Sequence, residues 1–270
     1  MNTPLSHRFD PQNARFLCAA SADAYATESP PPESTLRCEA ADTHVCIQRR
    51  VSYSVGESGG EMIIAFRGTA DLRNALTDMD CKLIHADGYR VHRGFHEAVA
   101  AIDASLTAAL GDVSGMRLWI TGHSLGGALA ELWTLRAIER GLEIAGVYTF
   151  GQPRVGDAAF AACYNSVLEP CTFRVVHGDD VVPRVPWLLG RYRHAGGEIF
   201  FPDPTSPTWI ANCPWWRKLM FDVAAVTGDL RAGRIGALDS HHISNYLALL
   251  SETSRSQTIN PSEPNSHDLL

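Results

Sequence analysis

A serine stands between two glycines at the point where an apolar segment passes into a helix-like pattern. The stretch RLWITGHSLGGALAELW, residues 117–133, places Gly122 and Gly126 two positions before and two positions after Ser124. A nucleophilic serine in a tight strand-to-helix turn has a strained backbone, and its neighbours at these positions must be small. The spacing is therefore typical of a serine nucleophile, although alone it also fits a glycine-rich turn that contains a serine.

A nucleophilic serine needs a histidine to remove its proton and a carboxylate to orient that histidine. In sheets of this kind the chain order is serine, acid, histidine. Two adjacent aspartates, Asp179 and Asp180, follow the apolar segment CTFRVV, and His241 and His242 begin a helix-like segment. The order fits a triad, but taken singly each pair also fits ordinary turn, capping or surface residues.

The same reaction needs two donors facing the oxygen of a tetrahedral intermediate. The backbone of Leu125, directly after Ser124, supplies one of them in the strand-to-helix turn. The segment IIAFRGTADL offers Thr69 as the other, with Gly68 allowing the turn. Thr69 also fits an ordinary helix-capping residue.

Strand-like segments alternate with helix-like ones. Helical spacing is found over residues 11–26 and 96–110, and the strand-like segments are HVCIQRRVSYSV, EMIIAFRG, MRLWIT, IAGVYTF and CTFRVV. This alternation predicts an α/β fold with a mostly parallel central sheet and helices on both faces. We expect one domain over residues 1–250 and a disordered polar tail over residues 251–270.

Composition limits the function classes. The net charge of −7 supplies no basic surface for nucleic acid, and no run approaches the roughly 20 apolar residues of a transmembrane helix. The polar start MNTPLSHRFDPQNARF has no apolar signal region, which favours a cytoplasmic protein, with secretion by another route or a removed signal left open. The seven cysteines are scattered without a CxxC pair, so we expect buried free thiols rather than a disulfide framework.

Six segments together resemble the fungal-type triacylglycerol lipase family, the class 3 lipases of the α/β-hydrolase fold. They follow the family's order between about residues 60 and 250 and read IIAFRGT, VHRGFHEAV, ITGHSLGGALA, TFGQPRVGD, HGDDVVPRVP and HHISNYL. The resemblance implies that Ser124 is the nucleophile and that Thr69 and Leu125 form the oxyanion hole.

The resemblance also selects one member of each adjacent pair. Asp180 matches the family's acid because it directly precedes two valines and a proline, residues 181–183. His241 matches the family's base because Tyr246 follows it by five positions. His242 is then expected to be exposed.

The family has a lid after the oxyanion residue, and ADLRNALTDMD, residues 70–80, falls at that place. Its apolar residues at helical spacing are Leu72, Ala75, Leu76 and Met79. Many members carry a tryptophan where this chain has Ala75, so we expect a weakly anchored lid; a fixed surface helix is the alternative. The tryptophan-rich segment around Trp209, Trp215 and Trp216 has no matched counterpart, and it fits either a roof over an acyl pocket or core packing.

These residues and the resemblance predict a serine carboxylester hydrolase for lipid-like esters, the acylglycerols, without a metal or organic cofactor. Its partners would be a lipid or small ester substrate and, transiently, lipid surfaces. A phospholipase, a short-chain esterase, a thioesterase or an acyltransferase would use the same triad. A non-catalytic binding module would tend to lose a triad member, and here all three are present.

Overall fold

The computed structural model describes residues 8–25, 35–40, 43–54, 57–69, 81–178, 180–186, 190–203, 206–214 and 239–259. Its helices are α1 Pro11–Asp23, α2 Arg93–Leu110, α3 Leu125–Glu139, α4 Ala158–Leu168 and α5 Ile243–Ile259. Its strands are β1 Thr35–Ala40, β2 Thr43–Ser54, β3 Glu57–Phe66, β4 Leu83–Ala86, β5 Tyr89–His92, β6 Met116–His123, β7 Ile144–Phe150, β8 Thr172–His177, β9 Gly197–Phe201 and β10 Ile210–Ala211.

The central sheet has the strand order β1-β2-β3-β6-β7-β8-β9-β10. Strands β3, β6, β7, β8 and β9 run parallel, whereas β1, β2 and β10 join antiparallel at the edges. Strands β4 and β5 form a separate hairpin. The predicted mostly parallel α/β sheet is confirmed.

The sheet is covered on both faces, as alternate residues of β3 show. Met62 and Ile64 pack in a core with α2, α3 and α4, and Ile63 and Ala65 pack in a second core with α1 and α5. Because successive side chains of a strand point to opposite faces, the two cores lie on opposite sides of the sheet. Strands buried on both faces lose the alternating pattern and read as continuous apolar runs, which is why β6 and β7 were recognisable.

The carboxyl ends of the parallel strands are in register. Phe66 of β3 is level with Gly122 of β6, His123 is level with Phe150 of β7, and Phe150 is level with Val175 of β8. The segments that follow these strands therefore emerge along one edge of the sheet. This edge is where ligands bind in open α/β sheets.

Helix α5 continues past residue 250, where the disordered tail was expected to begin, and ends at Ile259. Its polar residues are accommodated within the helix, because the hydroxyls of Ser251, Thr253 and Ser254 donate to carbonyls one turn earlier. Ser254 is also 3.1 Å from the backbone oxygen of Pro11 at the start of α1. Polarity alone suggested a tail because this contact with the far end of the chain is not visible in the local pattern.

Trp209 packs edge-on against Phe9 with ring centres 4.8 Å apart, in the core between the sheet, α1 and α5. Trp215 and Trp216 lie outside the described residues, as do the expected lid residues Leu72, Ala75, Leu76 and Met79, so the lid stays a prediction. Among the cysteines with described side chains, Cys18, Cys163 and Cys171 are free thiols. In the described part of the chain, we found no helix with the length and apolar character needed to cross a bilayer.

Candidate active site

Ser124 forms the turn between β6 and α3. Its backbone has φ 59° and ψ −129°, a left-handed conformation that is uncommon for a residue other than glycine. The turn is held because the Ser124 N–H donates to the Phe150 carbonyl at 2.9 Å. The sharp turn that the serine motif predicts is therefore present at the carboxyl edge of the sheet.

The two glycines of the motif are required by backbone contact. A Cβ atom on Gly122 would come within 3 Å of the Gly126 backbone, and one on Gly126 would come within 3 Å of the Phe66 carbonyl. Strand β6, helix α3 and strand β3 can approach this closely only without those side chains. Steric fit around Ser124 thus explains the spacing found in the sequence.

Asp180 and His241 form a buried pair. The His241 Nδ1 is 2.7 Å from the Asp180 Oδ2, and neither residue is more than 2% exposed. The Tyr246 hydroxyl donates to the same Oδ2 at 2.5 Å, and the Val182 N–H donates to Oδ1 at 2.8 Å. Three donors therefore compensate a carboxylate that the fold shields from water.

The hydrogen bonds of His241 determine which nitrogen is available for chemistry. A carboxylate can only accept, so Nδ1 carries the hydrogen and Nε2 keeps its lone pair. This Nε2 is buried and has no hydrogen-bond partner among the described residues. A general base for a serine hydroxyl needs such a nitrogen, and the neighbouring His242 is exposed instead. Asp179 lies outside the described residues.

The acid–base pair and the serine turn meet at the end of β7. Phe150 accepts the Ser124 N–H, and the next residue, Gly151, lies against both members of the pair. A Cβ on Gly151 would be 2.7 Å from the Asp180 Oδ2 and 2.8 Å from the His241 Cε1. The structure thus brings Ser124, Asp180 and His241 to one site from segments far apart in the chain.

The two residues expected to bind an oxyanion flank this site. Leu125 is the first residue of α3, so its N–H has no carbonyl one turn earlier, and the helix dipole favours negative charge there. Thr69 follows Gly68, and a Cβ on Gly68 would be 3.2 Å from the Ser124 Cβ. Leu125 therefore adjoins Ser124 at the start of α3, and Thr69 directly follows a residue that lies close to Ser124.

Tyr246 contributes a contact that the sequence did not predict. Its position in the chain served only to identify His241. In the structure the ring is buried, while its hydroxyl donates to Asp180 and accepts the His177 backbone N–H at 3.2 Å. Helical spacing could show that Tyr246 faces inward, but not that its hydroxyl reaches the acid.

A buried carboxyl group, Glu131, lies within α3 two turns after Ser124. The Gln152 side-chain amide donates to it, and the loop carrying Gln152 begins at Gly151. Burial raises the pKa of Glu131 to about 8, although Gln152 and the buried Arg174 lower it in part. Arg174 is itself 3.7 Å from Glu198. Glu131 is therefore mostly protonated at neutral pH.

The raised pKa predicts that stability falls as pH rises. The folded pKa of about 8 exceeds the ordinary value of 4.5, so between these values the folded chain holds a proton that the unfolded chain has lost. We expect Glu131→Gln to remove this dependence, worth roughly 1.4 kcal/mol of unfolding free energy per pH unit. Urea unfolding from pH 5 to pH 8 measures it, with Glu139→Gln at the exposed end of α3 as control. Equal slopes for both variants would contradict the prediction.

Comparisons with known proteins identify lipases as similar to this chain. The sequence profile of the family described as Lipase (class 3) matches residues 63–189. A lipase of Rhizomucor miehei is 34% identical over 183 residues, 64% of this chain and 48% of the relative. The secreted mono- and diacylglycerol lipase 1 of Fusarium solani is 37% identical over 151 residues, 52% of this chain and 44% of the relative. The chain thus spans about half the length of these curated relatives.

Solved structures share the fold. The native propeptide complex of Rhizomucor miehei lipase superimposes with a TM-score of 0.62 at 28% identity, over 75% of this chain and 71% of that one. The lipase of Rhizopus microsporus var. chinensis gives a TM-score of 0.59 at 26% identity, over 71% of this chain and 74% of that one.

The expectation of a cytoplasmic protein is wrong. It relied on the polar start of the sequence, which has no apolar signal region, but the similar proteins of Fusarium solani and Penicillium camembertii are secreted lipases. The polar start of the sequence therefore does not determine the compartment in which the folded domain functions. The core and the acid–base pair form from buried contacts that are the same in either compartment.

Proposed function

Because the class 3 lipase profile matches residues 63–189, we propose that the chain is a serine carboxylester hydrolase that cleaves acylglycerols. The observation that carries the proposal is the buried Asp180–His241 pair, whose free Nε2 lies at the sheet edge that also holds Ser124 in its strained turn. A hydroxyl, an imidazole and a carboxylate at this edge form the set of groups needed for acyl transfer.

In the proposed mechanism, the Ser124 Oγ attacks the ester carbonyl carbon while the His241 Nε2 takes the hydroxyl proton. The Asp180 carboxylate stabilises the resulting imidazolium through Nδ1. The backbone N–H of Leu125 and the backbone N–H or hydroxyl of Thr69 donate to the oxyanion. The tetrahedral intermediate collapses, His241 protonates the leaving alcohol, and Ser124 retains the acyl group.

The second half of the cycle uses the same groups with water as the nucleophile. His241 removes a proton from water, the hydroxide oxygen bonds to the acyl carbon, and the fatty acid leaves as the proton returns to Ser124. All proton transfers in this scheme use His241. The buried carboxylate of Asp180 remains charged throughout.

Acylglycerols are the favoured substrate class because of the relatives. The similar Fusarium solani and Penicillium camembertii proteins are mono- and diacylglycerol lipases, and the Rhizomucor miehei protein is a lipase. We propose transient contact with lipid surfaces for the same reason. Acyl chain length and head group depend on the shape of the pocket, so the chemistry of the triad does not determine them.

A substrate panel tests the proposal. We expect the purified chain to hydrolyse p-nitrophenyl esters from acetate to palmitate with a burst of p-nitrophenol, because an acyl-enzyme forms before water releases the acid. Emulsified mono-, di- and triacylglycerols should release titratable fatty acid, and phosphatidylcholine should release little.

The panel also separates the competing functions. Hydrolysis of acetate and butyrate esters alone would identify a short-chain esterase and contradict the lipid assignment. Phosphatidylcholine as the best substrate would identify a phospholipase. The absence of any burst or turnover would overturn the catalytic proposal and favour a binding module.

A further inference from the structure

A second buried histidine lies beside the proposed base. His123 directly precedes Ser124, and its ring centre is 4.5 Å from that of His241. Its Nε2 is 2.7 Å from the His241 backbone carbonyl oxygen, and its Nδ1 is 2.9 Å from the Tyr25 hydroxyl oxygen. Both ring nitrogens of His123 are therefore occupied by the protein itself.

These contacts determine the positions of the protons. A carbonyl oxygen can only accept, so the His123 Nε2 carries the hydrogen and donates to His241. In the neutral ring Nδ1 then has a lone pair, so the Tyr25 hydroxyl must donate to it. Burial lowers the pKa of His123 well below its ordinary value, and the adjacent His241 lowers it further. A neutral ring adds no positive charge beside His241 when that base accepts a proton.

Tyr25 extends the chain of hydrogen bonds to the loop on the other side of Ser124. Burial raises the pKa of Tyr25 to about 12, and a hydrogen bond from the Gly68 backbone N–H to the phenol oxygen lowers it in part. The Arg67 guanidinium carbon is 5.7 Å from the centre of the tyrosine ring. Gly68 precedes Thr69, one of the two proposed oxyanion donors.

Two donors connect these residues in one direction. Tyr25 donates to His123, and His123 donates to the carbonyl of His241. The Gly68 backbone packs against the Tyr25 hydroxyl, which a Cβ on Gly68 would approach within 3 Å. The side chain of His241 is oriented separately, by Asp180 at Nδ1. The base is therefore held at two points, its ring by the acid and its backbone by His123.

We propose that Tyr25 and His123 are positioning residues that fix the His241 backbone relative to the Gly68–Thr69 loop, so that base and oxyanion donors stay aligned about Ser124. This inference rests on the proposed hydrolytic function. It assigns a role to Tyr25, which follows α1 and lies outside residues 63–189. Since both side chains are bonded to protein groups, we expect their loss to reduce kcat and to leave KM unchanged.

Two substitutions of His123 separate the hydrogen bond at its Nε2 from the one at its Nδ1. A glutamine amide extends as far as Nε2 and can still donate to the His241 carbonyl, whereas the shorter asparagine amide reaches only the position of Nδ1. We therefore expect His123→Gln to retain kcat within about tenfold and His123→Asn to lose on the order of a hundredfold. Hydrolysis of p-nitrophenyl butyrate by the full chain gives kcat and KM for each variant.

Tyr25→Phe tests the other end of the chain of hydrogen bonds. It removes only the hydroxyl, and we expect kcat to fall roughly tenfold because the His123 Nδ1 loses its donor. Tyr164→Phe is the matched control, since it removes a buried hydroxyl 3.1 Å from the Thr172 hydroxyl, away from the site. That control should keep the parental kcat. Thermal unfolding monitored by circular dichroism identifies variants that do not fold, and if His123→Asn is among them, the comparison of the two tyrosine variants decides.

The outcomes distinguish this inference from the proposed function. A parent without Ser124-dependent hydrolysis would overturn both. A parent that hydrolyses the ester, together with a Tyr25→Phe variant of equal kcat, would overturn only the positioning role. A Tyr25→Phe variant with a raised KM and an unchanged kcat would also overturn it, because Tyr25 would then contact the substrate. A higher kcat for His123→Asn than for His123→Gln would overturn the positioning role as well.

Discussion

Replacing Ser124 with alanine should abolish ester hydrolysis while the protein remains folded. The variant loses the oxygen that attacks the ester but retains the Cβ atom at this turn, so the contacts of β6 and α3 are preserved. In other enzymes with this triad, loss of the nucleophile lowers kcat on the order of a million-fold. Initial rates on p-nitrophenyl butyrate measure the loss, and circular dichroism should show an unchanged thermal transition.

Activity of Ser124→Ala within roughly tenfold of the parent would eliminate Ser124 as the nucleophile. Ser114→Ala is a suitable control, because this residue lies before β6 in an exposed turn and should leave the rate unchanged. A contaminating esterase would leave a residual rate in the Ser124→Ala preparation. Labelling with a fluorescent phosphonate should then mark the parent and Ser114→Ala, but not Ser124→Ala.

Replacing Asp180 with asparagine should have the second largest effect. Asparagine presents an amide that can donate where the carboxylate accepted from the His241 Nδ1, so it favours the wrong tautomer and leaves the imidazolium without its counter-charge. A comparable substitution in another triad enzyme lowers kcat about 10⁴-fold. The effect should appear in kcat, because Asp180 is buried behind His241 and does not reach the ester.

Asp179→Asn is the matched control for this experiment. The adjacent position receives the same chemical change, and we expect near-parental kcat because the described bonds to His241, Tyr246 and Val182 belong to Asp180. If Asp179→Asn were inactive and Asp180→Asn active, the acid would have to be reassigned. Equal losses in both variants would indicate damage to the loop rather than to the triad.

The parts of the fold that could be predicted are those in which local pattern and burial agree. Strands β6 and β7 are buried on both faces, so their apolar runs were unambiguous. Strands β1 and β10 were missed, since edge strands mix polar and apolar residues and depend on a partner for their register. Strand β9 lies between two partners, and it was missed because its five residues give only a short pattern. The helix over residues 251–259 was also not predicted. Its residues are polar, and its contact with α1 joins segments that are far apart in the chain.

The candidate site divides in the same way. The turn around Ser124 could be predicted because close backbone contacts within the turn allow only glycine at positions 122 and 126. The choice of Asp180 over Asp179 and of His241 over His242 came from the family resemblance, since spacing alone left both pairs open. The buried carboxyl of Glu131 was not predicted, because the groups that surround it come from distant segments.

The separation of Asp180 and His241 by 61 positions has a consequence for the order in which the molecule is synthesised. A chain emerging from the ribosome exposes Ser124 and Asp180 before it exposes α5, so the partly made protein contains the proposed nucleophile and acid but lacks the proposed base. Helix α5 must then dock against α1, the first helix to be translated. The proposed triad is therefore complete only after translation of the domain is nearly finished.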